Sequence, residues 1–111
     1  MERNENMAIR CANFYAVLAN PRRLMILWAL EGGEMCVGDL AESIGASLPC
    51  TSQHLRMMRE NGLLESRRDG QTIYYGMPET LDTSALHRSC EACAEALGET
   101  MLRAGSRIER R

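Results

Sequence analysis

Lysine is missing from this chain. All thirteen basic residues among its 111 are arginine, set against fifteen acids for a formal net charge of −2. That balance excludes a uniformly basic surface, though not a local basic face. No apolar run approaches the roughly 20 residues that a membrane-spanning helix needs. The opening stretch MERNENMAIR carries an early acid and no apolar h-region, so no secretory signal is expected. The expected compartment is then the cytosol, where thiols stay reduced. The cysteine count is five, which is odd, so a complete disulfide framework is not expected either. A Gly-rich phosphate loop, a Ser-His-Asp set, internal repeats and low-complexity segments are all lacking.

What is present suits a single small domain over residues 1–111. The apolar fraction of 45% and charged fraction of 25% are ordinary for a globular protein. A chain this short buries only about two-thirds of its unfolded surface. An obligate dimer would relieve that shortage.

The apolar spacing predicts a mainly α chain. Met7, Cys11, Phe14 and Leu18 make one stripe on a helix over Glu5–Ala19. Asn20-Pro21 ends it, and Pro21 opens a second helix that stops at Gly32-Gly33. Leu24, Leu27, Trp28 and Glu31 set the face of that helix, which is expected to be mostly buried. A third helix spans Val37–Ile44 and stops at Gly45. A fourth begins after Ser47 as N-cap, tolerates Pro49 in its first turn and ends at Asn61-Gly62. The period then changes. LLESRR and TIYYGM are β-prone runs around Asp69-Gly70-Gln71, a hairpin signal. Pro78 marks the exit, and a last helix runs from about Thr80 to Ala104. Leu86, Cys90, Cys93, Leu97 and Met101 fall on one of its stripes.

Two short helices, a tight turn and a hairpin make a winged helix-turn-helix of about five helices and a two-stranded wing. Its second helix is slim enough to enter the major groove of DNA. The face expected to be exposed there holds Thr51, Gln53, His54 and Arg56, with Ser47 and Ser52 near its start. Gln pairs bidentately with adenine and Arg with guanine, while Ser and Thr hold phosphates. At the hairpin tip, Arg67 and Arg68 are expected to lie as a pair beside the DNA backbone or minor groove, with Gln71 next to them.

The pieces NPRRLMIL, MCVGDLA, TSQHLRMMRENGLL and RRDGQTIYY stand in an order and spacing that resembles the ArsR/SmtB family of winged-helix repressors, over about Leu18–Met77. The resemblance implies a homodimer held by its first and last helices and bound to an inverted repeat of operator DNA. It also implies release by a metal, a metalloid or a thiol-reactive signal, with no organic cofactor. Twofold symmetry suits a palindromic operator.

Three sensing sites of that family are tested against the chain. A CVC pair opening the third helix is reduced to Cys36, since Gly38 stands where the second Cys would be. Of His and carboxylate ligands on the last helix, only Asp82 and His87 are near. A persulfide pair would need a Cys in the second helix, where Trp28 stands. Cys90 and Cys93 remain, with Cys11. Positions i and i+3 of a helix face the same way, with β-carbons about 5–6 Å apart, so two thiolates can grip one soft ion. If the stripes of the first and last helices meet across the dimer, as the resemblance implies, Cys11 completes a three-thiolate site. Arsenite or antimonite suits such a set, and cadmium or zinc would want a fourth ligand.

Other readings stay open. Free cysteines on apolar stripes pack well without any ligand. Cys50, in the first turn of the fourth helix, reads as packing or incidental, although a thiol near a helix N-terminus can be acidified. The thiols could instead oxidise, making a redox or reactive-sulfur sensor of the same fold. A CxxC thiol enzyme would need the motif after a strand in a βαβ setting, which is lacking here. A protein-interaction module with a degenerate wing is the last alternative.

Overall fold

The computed structural model describes residues 4–109, with side chains through residue 98. It falls into two compact units, Met1–Leu81 and Asp82–Arg111. In the first, α1 (Glu5–Leu18) starts where Asn4 Oδ1 accepts from the Met7 N–H at 2.9 Å. The N-cap of α2 (Pro21–Leu30) is Asn20, whose Oδ1 accepts from the amides of Arg22 and Arg23 at 3.0 and 3.2 Å. Pro21 sits at the first helical position, where a missing N–H costs nothing.

The third helix, α3, spans Val37–Ile44. It ends on Gly45 at φ 66°, a left-handed position that glycine takes without penalty. Ser47 Oγ then caps α4 (Leu48–Glu60) by accepting from the Cys50 N–H at 3.2 Å. A second left-handed glycine, Gly62 at φ 78°, turns the chain into the wing.

The hairpin forms as expected. Strand β2 (Glu65–Asp69) pairs antiparallel with β3 (Thr72–Gly76) around Gly70 and Gln71. A third strand joins it. Met35–Cys36, here β1, lies on the other side of β3, with Met35 opposite Tyr75 and Cys36 opposite Tyr74. Two residues are too short to show an alternation, so this strand exists only because the tertiary fold brings it to the edge of β3.

The core of this unit is built from the end of α1, from α2, α3 and α4, and from Leu63 and Leu64. Two faces differ from expectation. In α2 the buried residues are Ile26, Leu27 and Leu30, while Trp28 and Glu31 are exposed. Residues 26, 27 and 30 are also one helical face, rotated from the expected one, and α2 turns it towards α3 and α4. On α1 only Leu18 of the expected stripe is buried; Met7 and Cys11 are exposed.

The second unit is α5 (Thr83–Glu109), which starts three residues later than expected. Pro78 C=O accepts from the Leu81 N–H at 3.1 Å and holds a turn before the helix. Asp82 Oδ1 then caps α5 through the Ala85 N–H at 2.9 Å. Gly98, at φ 53° and ψ −155°, interrupts the helix that the sequence led us to expect as continuous. The side chain of Met101, on the expected stripe, lies outside the described residues.

Leu55 has no exposed surface and anchors α4. Leu55→Ala is expected to lower stability by about 2–5 kcal/mol, through lost burial and the cavity left behind. Urea unfolding followed by circular dichroism measures it; a loss below about 1 kcal/mol would mean the site collapses around the smaller side chain.

Candidate nucleic-acid interface

Helix α4 is two-faced. Thr51, Leu55 and Met58 are wholly buried at spacings of four and three, which fixes the opposite side outward. That outward side carries Ser52, Gln53 and Arg56, all exposed. Ser47 is exposed at the head of the helix, with its hydroxyl already accepting the capping bond.

Thr51 corrects the sequence reading. It was expected on the exposed face, yet its side chain has no accessible surface. Its hydroxyl donates to Ser47 C=O at 2.8 Å, alongside its own amide at 2.9 Å. A small β-branched residue that satisfies its own hydroxyl within one turn can enter the core.

His54 is half-buried between the two faces. Its Nδ1 accepts from Arg23 Nε at 3.3 Å, and Arg23 Nη1 donates to Val17 C=O at 2.8 Å. Burial, then the charges of Arg23 and Arg22, hold its pKa below the usual 6.5. Beside it, Arg22 Nη1 donates to Cys50 Sγ at 3.6 Å, so this thiol touches a guanidinium. Arg22 and Arg23 were missed in the sequence. The signal was present: two cations in the first turn of α2 oppose the helix dipole.

The wing separates the two arginines expected to work as a pair. Adjacent strand residues point to opposite faces, and Arg67 faces Tyr74 while Arg68 faces Ile73. Arg67 is already engaged: its Nε donates to Glu34 Oε1 at 2.7 Å, and its guanidinium carbon lies 4.7 Å from the Tyr74 ring centroid. The Glu34 hydrogen bond and charge raise its pKa. Arg68 and Gln71 are exposed. Arg59 Nη1 donates to Ser66 Oγ at 3.4 Å, linking the end of α4 to the wing. A 360 Å³ cleft lies between the start of α3, α4 and the wing, lined by Cys36, Gly38, Ser52 and Gln71 among others.

Cys11 lines a 690 Å³ groove on α1 with Met7, Phe14 and Leu63. On α5, Cys90 is half-buried and Cys93 exposed, at the i, i+3 spacing expected of them. Cys11 belongs to the first unit and the pair to the second. Among the described residues of one chain, no three His, Cys, Asp or Glu side chains are clustered so as to hold a metal ion. Asp82 is engaged in capping α5, and His87 Nε2 lies 3.1 Å from Glu91. At Gly38 a Cβ would meet open space, so the half-motif at Cys36 reflects residue choice and not backbone constraint.

The order of these elements matches a known family. Residues 20–66 fit the model described as "Bacterial regulatory protein, arsR family". The homodimeric winged helix-turn-helix DNA-binding domain of a protein from Mycobacterium bovis superposes with a TM-score of 0.71 at 32% identity, over 86% of this chain and 87% of that one. This chain belongs to the arsR family of bacterial regulatory proteins. Nodulation protein NolR of Rhizobium meliloti is 47% identical over 74 residues, 67% of this chain and 60% of its own length. The cadmium resistance transcriptional regulatory protein CadC of Listeria innocua is 38% identical over 65 residues, 58% of this chain and 55% of its own. The chain thus spans less than two-thirds of the length of either curated relative. The family is one of transcriptional regulators and not of enzymes, which removes the thiol-enzyme alternative. Among the described residues, no helix is long and apolar enough to cross a membrane.

Two expectations follow. Thr51→Val keeps the buried shape and removes one hydroxyl bond, so it should cost about 1 kcal/mol of stability and leave DNA sequence preference unchanged. Gln53→Ala should instead relax preference at one base pair; selection from a randomised duplex pool distinguishes the two, and altered preference in Thr51→Val would restore Thr51 as a reader. The second concerns pH. With the folded pKa of His54 below 6.5, the unfolded chain binds the proton more readily. Stability from this group is full above 6.5 and is lost as pH falls through the lower folded value. His54→Asn should therefore lose less melting temperature than wild type between about pH 8 and about pH 5. Equal losses would remove His54 as the cause.

Proposed function

We propose that the chain acts as a homodimeric transcriptional repressor that binds an inverted repeat of operator DNA. The observation carrying this reading is the two-faced α4, whose exposed Ser52, Gln53 and Arg56 stand over the buried Thr51, Leu55 and Met58, beside a β-hairpin wing. Ser47, His54, Arg68 and Gln71 flank that face, with Arg67 held back by Glu34. Exposed Met7, Ile9 and Tyr15 on α1 supply apolar surface that a second copy would cover.

The inducer in this reading is a soft, thiol-binding species, arsenite or antimonite first, with cadmium and zinc as alternatives. Cys90 and Cys93 offer two thiolates on one face of α5, and Cys11, supplied across the dimer, is the third. Cys36, in its cleft beside the wing, is the reserve ligand. Binding between dimer-forming helices would bias the spacing of the two α4 helices on DNA. A coupling of about 1–3 kcal/mol is enough for a several-fold to hundred-fold loss of affinity. Because the ligands bind as thiolates, inducer affinity should fall with pH.

A gel shift on the promoter upstream of the gene, with arsenite, antimonite, cadmium, zinc, polysulfide and peroxide, tests this. Release by arsenite or antimonite that is lost in Cys90→Ser is the expected result. Release by polysulfide or peroxide alone would make the thiols a redox switch. A Cys90→Ser protein that responds like wild type would move the site to Cys36 or Cys50.

A further inference from the structure

The start of α2 is an unusual place for two arginines. The positive end of the helix dipole disfavours cations there, yet Arg22 and Arg23 occupy its first turn. The amides of that turn are not waiting for a ligand, since Asn20 accepts from both. The side chains are what the turn presents. Arg23 is consumed structurally, bonded to His54 Nδ1 and to Val17 C=O. Arg22 is exposed, and its one described polar partner is the Cys50 thiol at 3.6 Å, a weak neutral acceptor. Among the described residues, neither arginine forms an ion pair with a carboxylate. A guanidinium carries five donors in a fixed fork, and one long contact to sulfur leaves most of them unused.

The position of this excess charge is informative. Cys50 and His54 are one turn apart on α4, so Arg22 and Arg23 lie along the flank of the helix whose outward face carries Ser52, Gln53 and Arg56. With Nδ1 accepting from Arg23, a neutral His54 carries its proton on Nε2, which adds a neutral donor to the group. Burial first, and then the positive charges of Arg23 and Arg22, lower the pKa of His54. Basic donors flanking a groove-reading helix, with no carboxylate paired to them among the described residues, suit a backbone phosphate better than a base edge.

We infer that Arg22, positioned through α2 against Cys50 and beside the Arg23–His54 bond, binds one backbone phosphate of the DNA at each half-site. This rests on the operator-binding reading above. It adds a contact from outside the helix-turn-helix and the wing. Such a contact fixes the register of α4 without reading sequence. A twofold dimer brings two copies of Arg22 to each operator.

The test is the salt dependence of DNA affinity for wild type, Arg22→Gln and Arg22→Lys, on operator and on unrelated duplex. Each phosphate contact contributes about 0.9 to the slope of log K against log salt, so Arg22→Gln should flatten it by about 1.8 for the dimer. Its affinity should fall about tenfold on both duplexes, keeping their ratio. Arg22→Lys should keep the wild-type slope, because it keeps the charge. Unchanged melting temperature in Arg22→Gln would separate this effect from a folding defect. An unchanged slope in Arg22→Gln, with wild type binding normally, overturns the phosphate contact and leaves the repressor reading intact. A changed ratio between the duplexes makes Arg22 a base reader and overturns it too. If wild type fails to bind either duplex, both readings fall.

Discussion

Thr51, Leu55 and Met58 on the inner side of α4 have no exposed surface, and the orientation of everything on its outer side depends on that burial. A helix pinned along one side by three fully buried residues cannot rotate without exposing them, at a cost of about 1.5–3 kcal/mol for each large apolar side chain. Ser52, Gln53 and Arg56 are held outward as the direct consequence. The Thr51 hydroxyl, closed onto Ser47, lets the first turn enter the core without an unsatisfied polar group. The outward set of polar side chains is thus fixed by packing on the opposite face.

The same pinning organises the charge. Arg23 bridges from the start of α2 to His54 and to the end of α1, so three helices meet at one guanidinium. Arg67 is drawn into the wing by Glu34 and Tyr74. Arg23 acts as architecture, while the Arg67–Glu34 pair is solvent-exposed. Arg22, Arg56, Arg59, Arg67 and Arg68 are all exposed, interspersed along α4 and the wing with exposed Glu60, Glu65 and Asp69, in a chain whose net charge is −2.

The thiols follow a different logic. Each of the five cysteines is free, and they are spread over α1, β1, α4 and α5. Cys50 is held by Arg22 within the α2–α4 junction, and Cys36 lines the cleft under the wing. Cys11, Cys90 and Cys93 lie on the helices that the family resemblance places in the dimer.

By itself, the sequence determined the secondary structure that carries a local signal. Caps at Asn20 and Ser47, the left-handed stop at Gly45, the Gly70 turn and the 3.6-residue spacing place four helices and a hairpin close to where they form. These features are written within a few residues of where they act. The outward placement of Gln53 and Arg56 was legible for the same reason. Tertiary structure alone decided the rest. It buried Thr51, rotated the face of α2 away from Trp28, added Met35–Cys36 to the sheet, and drew Arg22 and Arg23 to α4. Each of those outcomes depends on what another element presents across space, and a pattern read along one helix or strand holds no information about the surface it will meet.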